Sequence, residues 1–187
     1  MASWFTHAFL AGMLVKAQPS HVQTTRLWVL SICCSIVPDA DVLGYFWGIE
    51  YGHVFGHRGF MHSLSFAFGL SLMTVAWGFP QVPKGTHTWW LLVGHFFFLT
   101  ASHGVLDAMT NGGLGVAFFA PFDNTRYFFP WTPIKVSPIG AGFFSGKGIR
   151  VLTSELLFVW MPILFLFTLG RVIMRKRVEW KSMELGE

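Results

Sequence analysis

Residues 88–110 read TWWLLVGHFFFLTASHGVLDAMT. No Lys, Arg, Asp or Glu interrupts the run before Asp107, and the stretch is long enough to cross a bilayer core as one helix, which takes about 20 residues. Trp89 and Trp90 open it at the level where an aromatic belt is expected. His103 and Asp107 fall near its far end, four residues apart, so one helix face presents both to a common ion. Ionisable groups inside an apolar span are costly and mark function. His95 lies two turns deeper on the same face, where a helix-packing hydrogen bond is its expected role.

Working outward, four further apolar runs appear. Residues 60–79 (FMHSLSFAFGLSLMTVAWGF) are long enough to span and are closed by Pro80 and Pro83. Residues 2–16 and 26–37 are shorter; Gln18-Pro19-Ser20 breaks the first, and Pro38 is expected to stop the second, since proline disfavours helix in the residue before it. A final span covers 153–174, ended by Arg175-Lys176-Arg177 in a basic tail over 175–187. Residues 111–150 form a long loop rich in Gly, Pro and aromatic residues, expected to act as an interfacial lid. The predicted architecture is all-α: one polytopic helical bundle over 1–187 with four to five membrane segments and no internal repeat.

Composition agrees. Only 12% of the 187 residues are charged and 53% are hydrophobic, with 21 Phe and 9 Trp, against about 25% charged in soluble domains. The net charge of +4 gathers into no basic stripe, which argues against nucleic acid as a partner. Cys33 and Cys34 are adjacent in an apolar run and read as two small buried hydrophobes. The N-terminus lacks a basic n-region, and no cleavable signal peptide is expected.

If each apolar run crosses once, His7, Asp39, Asp41, His57, His62, His103 and Asp107 return to the same membrane face. A mixed set of imidazoles and carboxylates with open positions suits a catalytic divalent ion, zinc first, as one or two ions. Asp39 and Asp41 are spaced i, i+2, so one can ligate while the other orients a ligand histidine. His62 is the stronger ligand of its pair, and His57 a second-site ligand or acid/base group. Arg58 is placed to clamp an anionic oxygen. Ser63 and Ser102 have no Gly-rich elbow around them and are not expected to be nucleophiles. In the loop, Asn111, Asp123, Arg126 and Tyr127 are the polar groups best placed to touch a headgroup. The Lys and Arg distribution, weighted by residues 175–177, puts the C-terminus in the cytoplasm and the polar cluster at the periplasmic face.

His7, Pro38-Asp39-Ala40-Asp41, His57-Arg58-Gly59 with His62-Ser63, His103-Gly104-Val105-Leu106-Asp107, and Asn111-Gly112-Gly113 followed by Pro121-Phe122 together resemble the YdjM-type family over about residues 1–140. The resemblance implies a small bacterial inner-membrane protein, described as a metal-dependent hydrolase and linked to LexA-controlled DNA damage response genes. A fainter likeness is to zinc-dependent phospholipase C, where an N-terminal His, an Asp, a His and a helical HxxxD pair gather zinc. No histidine follows His103 here, which leaves that pattern incomplete.

The resulting expectation is a membrane-bound metal-dependent hydrolase acting on a phosphoester, or an ester, of a membrane lipid or lipid-linked substrate. Asp39, His57 and Arg58 would serve catalysis, and Arg58, Asn111, Arg126 and Tyr127 substrate binding. The alternatives are a metal or proton transporter and a non-catalytic membrane protein with a structural metal.

Overall fold

The computed structural model describes residues 1–138 and 140–184. Six α-helices are present among the described residues: α1 (Trp4–Lys16), α2 (Thr25–Ile36), α3 (Leu64–Gly78), α4 (His87–Ala108), α5 (Gly146–Glu155) and α6 (Met161–Glu184). They carry no β-sheet; two isolated bridges, Thr110 with Ile134 and Val116 with Tyr127, tie the long loop to itself and to the end of α4. Three helical stretches, Thr25–Trp47, His87–Ala108 and Gly146–Met174, are long and apolar enough to cross a membrane. Leu64–Gly78 is apolar but shorter. The protein is an all-helical membrane protein, and exposed Phe46, Trp47, Trp77 and Trp90 at helix ends match an interfacial aromatic belt.

Lipid tails are as apolar as leucine, so helices in a membrane gain little from hiding apolar surface and associate by close packing. The buried stripes reflect that. On α3, Ala67, Ser71 and Val75 recur every fourth residue, are wholly buried, and belong to the helix that packs on α4. On α1 the buried stripe is His7, Ala11 and Val15. On α4 it runs through Val93, Phe96, Leu99 and Thr100 to His103 and Asp107. His7 on α1 and His103 and Asp107 on α4 thus lie at the ends of packing stripes, and the packing that joins the helices also brings these three together. Thr100 Oγ1 donates to the Cys34 carbonyl across α2 and α4, and His95 meets Ser31 Oγ at 2.9 Å, the packing contact expected of it.

Pro38 does not end the second run. The helix tightens there into a 3-10 stretch, Val37–Trp47, with Pro38 in its first turn, where its missing N–H leaves no bond unmade. The stretch closes on Gly48 in the left-handed conformation. The third run also begins later than expected. Phe60–His62 form a short 3-10 turn, and Ser63 then caps α3 by accepting from the Phe66 N–H. Ser63 is a helix cap. The last helix starts earlier, at Gly146, and passes through a π-helical turn, Leu156–Trp160, before α6. Cys34 is buried but Cys33 faces outward. The side chains of Arg175, Lys176 and Lys181, which weigh on orientation, and residues 185–187 lie outside the described residues.

The loop after α4 is fastened along its length rather than free. Phe129 N–H donates to the Ala108 carbonyl, Ser137 N–H to the Met1 carbonyl, and Leu64 N–H to the Phe118 carbonyl. Lys135 N–H donates to Ser154 Oγ. It forms a fixed wall over the polar end of the bundle.

Candidate metal centre

His7, Asp39, Asp41, His57, Arg58, His62, His103 and Asp107 are brought together and buried, none more than 5% exposed. Four separate stretches supply them: α1, the 3-10 stretch after α2, residues 57–62 and α4. Asp39 and Asp41 diverge because a 3-10 helix turns once per three residues, which points positions i and i+2 apart. Asp39 faces His62 and His103, while Asp41 faces His57 and His62.

Asp41 is fully engaged. Its Oδ1 accepts from His57 Nδ1 at 2.7 Å, and its Oδ2 accepts from the Arg58 backbone N–H at 3.0 Å. The same Oδ2 lies 3.0 Å from His62 Nδ1. The pair is an ion-pair contact rather than a hydrogen bond, and a proton on Nδ1 facing Asp41 would leave the Nε2 lone pair inward. His103 is set by a hydrogen bond: Nδ1–H donates to the Ser35 carbonyl at 2.8 Å, leaving Nε2 free. Asp39 and Asp107 each commit one oxygen to the N-terminal segment. Asp39 Oδ2 accepts from Trp4 Nε1 at 2.9 Å, and Asp107 Oδ1 accepts from the Ala2 N–H at 2.6 Å.

What remains is four inward lone pairs: Asp39 Oδ1, His62 Nε2, His103 Nε2 and Asp107 Oδ2. Each is buried and has no hydrogen-bond partner. His103 Nε2 lies 3.3 Å from Asp39 Oδ1, and His62 Nε2 lies 3.5 Å from Asp107 Oδ2 and 3.6 Å from Asp39 Oδ1. Two ligands each about 2.1 Å from a tetrahedral ion sit about 3.4 Å apart. The spacing therefore fits a metal ion, and the four residues could hold one.

Charge points the same way. Among the cluster's side chains, three buried carboxylates (Asp39, Asp41, Asp107) oppose one buried guanidinium (Arg58), an excess that a divalent cation would neutralise. Asp107, Asp39 and Asp41 surround the His62 ring, so that position favours positive charge.

The remaining predicted residues are placed as follows. His7 stacks on His103, with ring centres 3.7 Å apart, and its unpartnered Nε2 is 3.7 Å from Asp107 Oδ1. Arg58 is wholly buried: Nη1 donates to the Gly112 carbonyl, Nη2 to Thr110 Oγ1, and Nε is 3.2 Å from Asp107 Oδ2. Its Nε meets the inward oxygen of Asp107 and its other two nitrogens bond the loop, so it is a buried, engaged guanidinium where an open anion clamp was expected. Asn111 Oδ1 accepts from the Val136 N–H. Arg126 donates to the carbonyls of His57, Tyr51 and His53, and Tyr127 leans on Asp123. Asn111 and Arg126 thus make backbone contacts that hold the loops.

Three contributors escaped the sequence reading. Trp4 and Ala2 supply the N–H groups that orient Asp39 and Asp107, and no pattern distinguishes them. Glu155 is wholly buried and accepts from both the backbone N–H and the Oγ of Ser3. A lone carboxylate in the run VLTSELLFVW was a legible signal for it.

Gly104, beside His103, lets the His62 turn lie directly on α4. A Cβ there would stand 2.8 Å from the His62 carbonyl oxygen. Gly104→Ala is expected to push His62 outward and weaken metal binding by about tenfold to a hundredfold, the usual cost of disturbing a ligand's support. Metal titration of the purified variant checks this; wild-type affinity would refute it.

The YdjM inner membrane protein family model matches residues 1–178. The chain is 39% identical over 181 residues to the inner membrane protein YbcI of Escherichia coli strain K12, covering 95% of this chain and all of that protein. No solved structure matches. The comparisons give no support to the likeness with zinc-dependent phospholipase C, and the matched names state a membrane location and no reaction. The chain belongs to the YdjM inner membrane protein family.

Proposed function

We propose that this protein is a membrane-embedded metal-dependent hydrolase that cleaves a phosphoester of a lipid substrate, with zinc as the first choice of ion. The observation that carries the reading is the set of four inward lone pairs on Asp39, His62, His103 and Asp107, spaced for one ion. A two-histidine, two-carboxylate set of this kind supports water activation and polarisation of a phosphoryl oxygen when an ion is bound.

The chain's own residues have separable roles. The Ser35 carbonyl fixes the His103 tautomer, Asp41 lies beside His62 Nδ1, and Trp4 and Ala2 fix the carboxylates. His7, with its free Nε2 beside Asp107, takes or delivers a proton at the reacting oxygen. His57 is held on Asp41, and Arg58 orients Asp107 through the contact of its Nε with Oδ2. Burial excludes bulk water, which strengthens each electrostatic contact inside the site. We place this end of the bundle at the periplasmic face with the C-terminus in the cytoplasm.

The test is elemental analysis of protein purified in detergent, followed by a panel of phospholipids assayed with and without chelator. About one divalent ion per chain is expected, with hydrolysis lost on chelation and both lost in His103→Ala. Full metal content in His103→Ala would refute the ligand set. Metal flux into proteoliposomes without hydrolysis would replace the enzyme with a transporter.

A further inference from the structure

An apolar cavity of about 420 Å³ opens beside the metal centre. Its walls come from α1 (Trp4, Phe5, Ala8), from the two sides of the aspartate pair (Ile36, Val42), and from the segment before α5 (Phe143, Phe144). The volume falls in the range of small-molecule sites, roughly 300–1,000 Å³. We propose that this cavity receives one fatty acyl chain of the lipid substrate, so that the enzyme selects acylated phosphoesters by their tail as well as their headgroup. This rests on the hydrolase reading above.

Three observations assign that occupant. The first is continuity. Trp4 lines the cavity and donates its Nε1–H to Asp39, while Ile36 and Val42 bracket Asp39 and Asp41 in the chain. A chain seated there would bring its attached headgroup to the centre's edge. The second is exposure: Phe144 at the cavity wall is 86% exposed on a protein whose helices are apolar enough to cross a membrane, so the cavity opens toward an apolar surface. The third is chemistry. The lining is nearly all aliphatic and aromatic, with Ser3 and Ser137 the hydroxyl-bearing exceptions, and Ser3 is already committed to Glu155. A headgroup or a peptide would find little there to pair with, whereas an acyl chain needs no partner.

The wall has a built-in support. Phe5 on α1 stacks on Phe143 with ring centres 5.8 Å apart, bridging the N-terminal helix and the segment before α5. Glu155 holds the same N-terminal segment through Ser3. The cavity's shape is therefore tied to the N-terminal segment that positions Asp39 and Asp107.

The test uses the full-length protein in nanodiscs with a phosphatidylcholine carrying a diazirine on its palmitoyl chain. After photolysis, labelled peptides are compared between the cavity (Phe5, Ala8, Phe143, Phe144) and the outward face of α6 (Phe165, Leu166), which reports bulk lipid contact. Cavity labelling is expected to saturate and to be competed by unlabelled palmitoyl lipid, while α6 labelling rises linearly. Ala8→Trp, which fills the cavity, should abolish the saturable part. Should that variant not fold, Phe144→Ala removes an exposed wall and is expected to weaken saturable labelling by about fivefold. Cavity labelling no more saturable than that of α6 would overturn the proposal, as would saturation by an isoprenyl probe alone. Because labelling requires no turnover, saturable labelling in a protein that binds no metal would fail the hydrolase and leave the acyl site standing.

Discussion

Asp107→Asn is expected to abolish metal binding and yet, in chelator, to melt close to the wild type, because the relief of one buried negative charge offsets the broken pair with Arg58. The two halves follow from different features of one carboxylate. Asp107 Oδ2 is an inward lone pair of the quartet, and its charge is part of the reason a cation is favoured there. Asparagine keeps an oxygen in place but supplies no charge, and metal affinity should fall by more than about a hundredfold, beyond the usual cost of losing a supporting contact. Without metal, however, the wild-type cluster holds three carboxylates against one guanidinium, and burying such an excess is costly. Asparagine removes one of those charges, and its single oxygen can keep the Ala2 N–H bond while its NH2 takes the place of Oδ2 and loses the contact with Arg58 Nε. With metal at about a thousand times its dissociation constant, the wild type should gain roughly 4 kcal/mol, and the variant nothing. Thermal melting of both proteins in detergent, with zinc and with chelator, reads the difference. A variant that melts well below the wild type in chelator would show that Asp107 is needed for the fold independently of any ion.

Convergence at the site was legible because of where its residues fall along the helices. His7, His103 and Asp107 end buried stripes, and Asp39, Asp41, His57 and His62 sit between apolar runs. Counting apolar runs grouped them, and the structure gathers them, although only three helical stretches among the described residues are long and apolar enough to cross a membrane. Pro38 misled because a proline that would break an α-helix is comfortable in the first turn of a 3-10 stretch, and that stretch is what separates the directions of Asp39 and Asp41. The division of labour between the two aspartates was open in the sequence, since spacing says which residues can diverge and not which neighbour each will meet. Glu155 was visible as a lone carboxylate among apolar residues, but its partner, Ser3, lies at the opposite end of the chain, and no local pattern pairs them. The headgroup roles expected of Asn111 and Arg126 arose from polarity alone. Polarity in a Gly-rich loop serves backbone carbonyls and amides at least as readily as ligands, and here it does.

Arg58 carries the second large prediction, in which glycine should be a better replacement than alanine. Arg58 is the non-glycine residue with positive φ among the described residues, at 63°, and it is wholly buried. An L-residue in the left-handed region costs about 1–2 kcal/mol, which its surroundings must supply. They do so through the guanidinium, which binds the Gly112 carbonyl, Thr110 Oγ1 and Asp107, and through the backbone, whose N–H goes to Asp41 and whose carbonyl accepts from the Ala117 N–H. Even the neighbouring loop is shaped to it: a Cβ at Gly113 would meet Nη1 at 2.8 Å. Deleting the side chain leaves Asp107 without its buried counter-charge, a loss of about 3–5 kcal/mol. Both Arg58→Ala and Arg58→Gly suffer that loss. Alanine keeps the backbone cost as well, whereas glycine relieves it at no steric penalty. Arg58→Gly should therefore melt above Arg58→Ala by the equivalent of about 1 kcal/mol, although glycine also loses more chain entropy on folding. Arg58→Lys tests the guanidinium separately, because one ammonium cannot replace its planar fork toward three acceptors. If alanine proved as stable as glycine, the left-handed backbone at position 58 would have to relax once the guanidinium is gone, and the strain would belong to the side-chain contacts rather than to the turn that carries His57 and His62.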